Sequence, residues 1–209
     1  LHRQNQVKAV YIARTILKAR LTAMTTHIPI SHSTYRRLAS LRSLDELRSL
    51  EAQVTKRYWH QYYKELGLEG TIRRDRHEPV NQALNAGSLF LSGVILRWVL
   101  YHRLSPQHGF MHVQSSYPSL VFDLMEPFRF IIERAVQQAH EQAPDTTSLV
   151  AYTIEIMKNA LEDNVYVPAT HQQVYRKSTL HGIVLALRAY LLGDMRRLVL
   201  PMEGVKKGG

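Results

Sequence analysis

The chain has 209 residues, with 27 Lys and Arg against 17 Asp and Glu, a formal charge of +10 and a pI near 9.9. That length sustains one domain with a real core, or two small ones. Cysteine is absent, which excludes disulfides and thiolate metal sites and accords with a reducing compartment, so a cytoplasmic location is expected. The cationic excess favours a polyanionic partner, because each Lys or Arg set on a phosphate releases condensed counterions. The plainer reading is a basic surface kept for solubility. The longest apolar run, 88–100, is shorter than the ~20 residues of a spanning helix and contains Arg97. No signal peptide is evident, so no membrane partner is expected.

The periodicity is helical nearly throughout, without sustained apolar–polar alternation and without an Asn-Gly or Asp-Gly turn. An all-α domain over 1–200 is predicted, with six main helices and a flexible tail at 201–209. The first helix covers about 4–25, with Val7, Val10, Leu17, Leu21 and Met24 on one side. The second covers about 44–66, starting at a capping box of Ser43 and Glu46 and stopping at Gly67. Its apolar stripe of Leu44, Leu47, Val54 and Tyr58 includes Glu51. An unpaired inward carboxylate is costly, so Glu51 calls for a cation, a donor or a metal, unless it sits at the stripe's edge and reaches water. A glycine-bearing basic connector follows at 67–78, then a third helix over about 79–103 opening at Pro79. The segment 104–118 reads as a loop holding Pro106, Gly109, His112 and Pro118. The fourth helix starts between 119 and 126 and ends at 142, before Pro144; the fifth covers about 147–163 and the sixth about 170–192, ending at Gly193.

The stretch 109–129, GFMHVQSSYPSLVFDLMEPFR, gathers His112, Asp123 and Glu126 among apolar residues of a basic chain. Asp123 and Glu126 share a face at helical spacing. Pro127 would break a helix interior, which sets Asp123–Glu126 at a first turn, where Asp123 would accept free N–H groups as a cap. A helix cap, a buried network and a metal site remain open, and a lone loop histidine is commonly structural. His171 and His181 read as core or surface residues. Two carboxylates with one imidazole suit a divalent ion such as Mg²⁺ or Mn²⁺, with zinc a further possibility. No zincin motif, P-loop, nucleophile elbow or dinucleotide fingerprint is present, so nucleotide hydrolysis and acyl transfer have no support.

PVNQALNAGSLFL (79–91), LSPQHGFMH (104–112) and PSLVFDLMEPFR (118–129) resemble, in order and spacing, the helical catalytic domain of the CRISPR-associated integrase family. RQNQVKAVYIARTILKARL (3–21) is similar to the family's first long helix of that domain. The resemblance covers nearly the whole chain. It implies a metal-dependent DNA integrase or endonuclease that joins the 3′-hydroxyl of a short spacer duplex to a phosphodiester at the edge of a CRISPR repeat. It implies an ion, Mg²⁺ or Mn²⁺, on Glu51, His112 and Glu126, with Asp123 as an active-site neighbour. Arg14, Lys18, Arg73, Arg74, Arg76, Arg176 and Lys177 are the cations expected to hold DNA backbones. The implied partners are the prespacer duplex and CRISPR repeat, a second copy in a homodimer, and a small ferredoxin-like adaptation protein. The resemblance would place a β-rich N-terminal domain before Leu1, so either a trimmed chain or the tail of a larger polypeptide is expected, with a fusion to a reverse transcriptase left open. The alternatives are a non-catalytic DNA-binding subunit of the same complex and a metal-dependent nuclease for branched DNA.

Overall fold

The computed structural model describes residues 5–112, 117–143 and 145–204. The expected helix start at 4, the boundary at Pro144 and the end of the tail, 205–209, lie outside them. The first helix, α1 (Gln6–Met24), starts where the Asn5 side chain accepts the Lys8 N–H at 3.1 Å. Its buried stripe is Ala9, Ile12, Ala13, Ile16, Leu17, Leu21 and Met24, interrupted by one cation, Arg20. Val7, expected on that stripe, is instead 80% exposed.

A short helix, α2 (His32–Ser40), precedes the predicted second helix, α3 (Leu44–Glu65). The α3 capping box is present in both directions: Ser43 accepts the Glu46 N–H, and the Glu46 carboxylate accepts the Ser43 N–H. Leu47, Leu50, Val54, Tyr58 and Tyr62 of α3 are buried, and α1 packs against this helix.

The helix α4 (Pro79–Tyr101) is central: α5 (Ser119–Met125), α6 (Arg129–His140), α7 (Thr146–Glu162) and α8 (Arg176–Leu192) all pack on it. By length and composition α4, with 23 residues and an 18-residue stretch of mean hydropathy 1.5, is long and apolar enough to cross a membrane, more than the run 88–100 alone suggests. Ala83, Leu84, Gly87, Leu91, Ile95 and Val99 bury one of its faces within the protein.

Three departures from the sequence expectation have local causes. The fold is mostly helical, as expected, but Asn164–Val167 (β1) and Gln172–Tyr175 (β2) pair antiparallel, Val167 opposite Gln172. Alternation lasts only four residues in β1, where Val165 and Val167 are buried, and His171 supplies the positive φ of 55° that a glycine usually marks. The sixth predicted helix therefore begins at Arg176 rather than 170. The helix α2 went unpredicted because it buries only Leu38 and shows no apolar stripe. The predicted fourth helix is two helices joined by a 3-10 turn, Glu126–Phe128. That turn accommodates Pro127, which has no N–H for an α-helical ladder.

After α8 the chain returns across the bundle. The Leu198 N–H donates to the Tyr11 hydroxyl at 3.1 Å, and the Gly204 N–H donates to the Tyr166 carbonyl at 2.9 Å. The described part of the expected tail, 201–204, is thus tethered.

Close packing of α4 on α6 and α7 depends on Gly87, where an added Cβ would stand 2.6 Å from Ile132 Cγ2 and 3.0 Å from Met157 Sδ. Ile132 is 1% exposed and branched at Cβ, so it yields little room. Gly87→Ala is expected to destabilise the chain by about 1–3 kcal/mol despite its better helix propensity. Urea denaturation checks this, and a neutral or stabilising result would contradict the packing.

Candidate functional site

Four elements meet at one guanidinium. Arg20 of α1 is 2% exposed and grips Glu133 of α6 in two parallel bonds, Nη1 to Oε2 at 3.0 Å and Nη2 to Oε1 at 2.6 Å. Tyr58 of α3 donates its hydroxyl to the same Oε2 at 2.7 Å, and Tyr62 donates to the Glu133 carbonyl at 2.9 Å. Arg20 Nε also lies 3.6 Å from Oε2 of Glu126, at the start of the 3-10 turn. Arg129 reaches back three residues to Oε1 of Glu126 at 2.7 Å. Glu126 is thus fixed from both sides at a 5% exposed position.

A cap on its own helix was one of the readings open for Asp123. The residue lies inside α5 and is 0% exposed, and it caps the preceding loop instead. Its Oδ2 accepts the Phe110 N–H and the Met111 N–H, the latter at 3.1 Å; its Oδ1 accepts the His112 N–H at 3.0 Å. His112 Nδ1 stands 2.7 Å from the same Oδ1. A carboxylate that takes three N–H donors acts as an acceptor, so Nδ1 carries the proton and Nε2 keeps its lone pair. Gly109 makes this loop possible: a Cβ there would fall 2.5 Å from the His112 carbonyl oxygen and 2.8 Å from the Ser119 backbone. Arg48, one turn before Glu51 on α3, holds the Met111 carbonyl at 2.8 Å, tying the loop to α3.

Glu51 is partly buried on α3, and among the described residues its carboxylate takes part in no hydrogen bond or ion pair. Burial first, and then the charge of Glu126, push it up to about 7, against the pull of His112, Arg129 and Arg20. Burial also acts to raise Glu126, but Arg129 and Arg20, with His112, hold it below the ordinary carboxylate value. Burial works to lower His112; the bond to Asp123 and the charges of Glu126, Asp123 and Glu51 outweigh it, and the imidazole titrates above its ordinary value.

Glu51, His112 and Glu126 therefore sense one another electrostatically, and Asp123 orients His112. Among the described residues no three acidic or histidine side chains already stand at metal-holding distances. The donor chemistry nevertheless fits a divalent cation: an uncompensated carboxylate, a second one close enough to raise its pKa, and an imidazole whose free nitrogen is set by a buried aspartate.

The expected DNA-holding cations divide into two groups. Arg14 donates to the Ala39 and Leu41 carbonyls at 3.1 and 3.3 Å. Arg73 donates to Asn85 at 2.7 Å over the Trp59 ring, Arg176 pairs with Glu203 and Asp163, each at 2.7 Å, and Lys177 pairs with Glu162 at 2.6 Å. Those four are engaged within the fold. Lys18, Arg74 and Arg76 are exposed and take part in no ion pair or side-chain hydrogen bond among the described residues. Sequence reasoning missed Arg20, Arg129 and Glu133. Arg20 had a signal, a lone cation on the stripe between Ile16 and Met24.

The model of the CRISPR associated protein Cas1 family matches residues 2–146. The chain is 34% identical over 143 residues to the CRISPR-associated endonuclease Cas1 1 of Saccharolobus solfataricus, an alignment that covers 64% of this chain and 40% of that protein. Its fold is similar to that of a casposase bound to integration product, with a TM-score of 0.79 at 20% identity over 96% of this chain and 65% of the other. It is also similar to a chain of a Cas6-RT-Cas1–Cas2 complex, with a TM-score of 0.69 at 16% identity, over 98% of this chain and 25% of the other. The fold is thus shared with these structures over nearly the whole chain, and the chain belongs to the Cas1 family. It spans about two fifths of the length of its Saccharolobus relative.

The Glu51 environment has a measurable pH signature in metal-free protein. Its folded pKa of about 7 lies above the ordinary 4.5, so between these values the folded chain holds a proton that the unfolded chain has lost. Stability from this group is full below about 4.5 and is lost as pH rises through about 7. Glu51→Gln should therefore melt higher than the parent at pH 8, by roughly 2–4 °C for each kcal/mol relieved. The difference should shrink toward acid. Melting curves of both proteins check this, and a variant that melts lower at pH 8 would contradict it.

Proposed function

We propose that this chain is the catalytic helical domain of a metal-dependent DNA integrase that inserts short duplex spacers into a CRISPR array. The observation that carries the reading is the Glu51 carboxylate, unpaired among the described residues and its pKa raised by burial and Glu126, beside His112 in a chain of the Cas1 family. The reaction is attack of a 3′-hydroxyl on a repeat-edge phosphodiester, releasing the adjoining 3′-oxygen, a transesterification that needs no nucleotide hydrolysis.

Glu51, Glu126 and Nε2 of His112 would hold Mg²⁺ or Mn²⁺. Such an ion supplies charge stabilisation at the phosphate and at the entering and leaving oxygens. Asp123 keeps the His112 proton on Nδ1, fixing the ring and leaving Nε2 available. Arg129 and Arg20 fix the Glu126 carboxylate while leaving it further lone pairs. Lys18, Arg74 and Arg76 are the cations free to take phosphates, which positions DNA without reading its sequence. Because His112 must be neutral to serve as a ligand, joining should fall as the pH drops through its raised titration range. The partners of this reading are the prespacer duplex, the repeat, a second copy and a small ferredoxin-like adaptation protein, in the cytoplasm. The casposase and Cas6-RT-Cas1–Cas2 likenesses support DNA, a Cas2-type companion and a fusion setting.

One observation favours a second reading, a DNA-binding subunit whose site is idle: Glu126 is already neutralised by Arg129 and Arg20. Both readings meet in one assay. The full-length polypeptide with its small partner is mixed with a labelled duplex bearing free 3′-hydroxyls and a supercoiled plasmid carrying a repeat. Label should enter the plasmid only with Mg²⁺ or Mn²⁺, drop to background in His112→Ala, and fall about 10- to 100-fold in Asp123→Asn. Joining that persists in chelator would contradict the proposal. Plasmid binding without joined product would establish the idle subunit, and cut product without joining would establish a nuclease.

A further inference from the structure

The helices α4, α7 and α8 enclose a second pocket, of about 500 Å³. Its apolar lining is Phe90, Val94 and Leu161, and one side carries the rings of Trp98 and His181. Trp98 lies face to face with His181, centroids 3.8 Å apart and 15° between planes. Behind it His181 meets His102 edge to edge, centroids 5.0 Å apart and 18° between planes, with the two Nε2 atoms 2.7 Å apart so that one ring donates its N–H to the other. The rings are therefore held in place before any ligand arrives. Arg97 and Lys158 stand at the rim, exposed and without ion pair or hydrogen bond among the described residues. Arg97 rests its guanidinium 4.5 Å over the Trp98 ring, covering the indole. Lys177 also lines the pocket, with its charge answered by Glu162 at 2.6 Å.

A fixed aromatic wall, an apolar floor and two free cations match a flat aromatic ring carrying an anion. A nucleotide of a single strand has that chemistry; a paired base does not, because its faces are already stacked. We infer that this pocket binds an unpaired nucleotide of single-stranded DNA, the base taking the place of the Arg97 guanidinium near Trp98 while Arg97 and Lys158 contact the flanking phosphates. The choice of DNA rests on the proposed function; the pocket itself uses none of Glu51, His112, Asp123 or Glu126.

The test uses the full chain carrying Trp59→Phe, which leaves Trp98 as the single indole, titrated with a short oligothymidylate. Binding should quench Trp98 emission, and Trp98→Ala, followed by the anisotropy of a fluorescently labelled strand, should weaken affinity about tenfold. Because Trp98→Ala also removes packing, Arg97→Glu with Lys158→Glu, both on exposed positions, provides the second variant. It should weaken binding and lower the salt slope by about 1.4, the value for two phosphates on a single strand. Binding that leaves the emission unchanged, equal affinity in the double variant, equal affinity for an abasic strand, or preference for the RNA oligonucleotide would each overturn the inference. Failure of the Glu51 site would show separately, as lost joining of duplex to plasmid with single-strand binding intact.

Discussion

Arg20 is a cation placed on the buried stripe of α1, and the geometry around it depends on its being answered there. Glu133 answers it with both oxygens, Tyr58 completes the carboxylate, and Glu126 takes the remaining side. Burial alone would lower the Arg20 pKa; Glu133 and then Glu126 raise it instead. Three stretches that are far apart in the chain, α1, α3 and the 3-10 turn with the α6 helix that follows it, are thereby set relative to one another. Such a pair is poor evidence of net stability, since desolvation offsets much of the attraction. It is strong evidence of specified position, because removing one partner leaves an uncompensated charge at a cost of about 3–5 kcal/mol.

Against that frame the carboxylates of the site are treated unequally. Glu133 is fully engaged, Asp123 is occupied by loop N–H groups and His112, and Glu126 is neutralised by two arginines. Glu51 alone of the four is left without a hydrogen bond or ion pair among the described residues, and burial first, then the charge of Glu126, push its pKa up. A fold that satisfies its other inward charges so fully, and leaves one carboxylate unsatisfied beside an oriented imidazole, has the asymmetry of a binding site.

The sequence made much of this legible, for identifiable reasons. Long helices with 3.6-residue stripes, the Ser43–Glu46 capping box and Pro79 at a first turn are local signals, and they reappear in the structure. Glu51 stood out because a carboxylate on an apolar stripe is anomalous, and the same test applied to Ile16, Arg20 and Met24 would have found Arg20. The partners of Asp123 could not be read locally because the N–H groups of 110–112 come from a loop brought near by tertiary contact rather than by helical spacing. The engagement of Arg14, Arg73, Arg176 and Lys177 within the fold was equally invisible, since each partner lies at least twelve residues away. The hairpin was too short for its alternation to register, and its turn uses His171 where glycine would have announced it.

The central claim is that Glu51, His112 and Glu126 form one divalent-cation site on this frame. Its most direct test is a titration of metal-free protein with Mn²⁺ followed by electron paramagnetic resonance, which needs neither DNA nor activity. The account predicts one bound ion per chain, lost in Glu51→Gln and in His112→Ala and retained in Lys158→Glu. Mn²⁺ bound equally by the Glu51→Gln protein, or no bound ion in the parent chain, would contradict it.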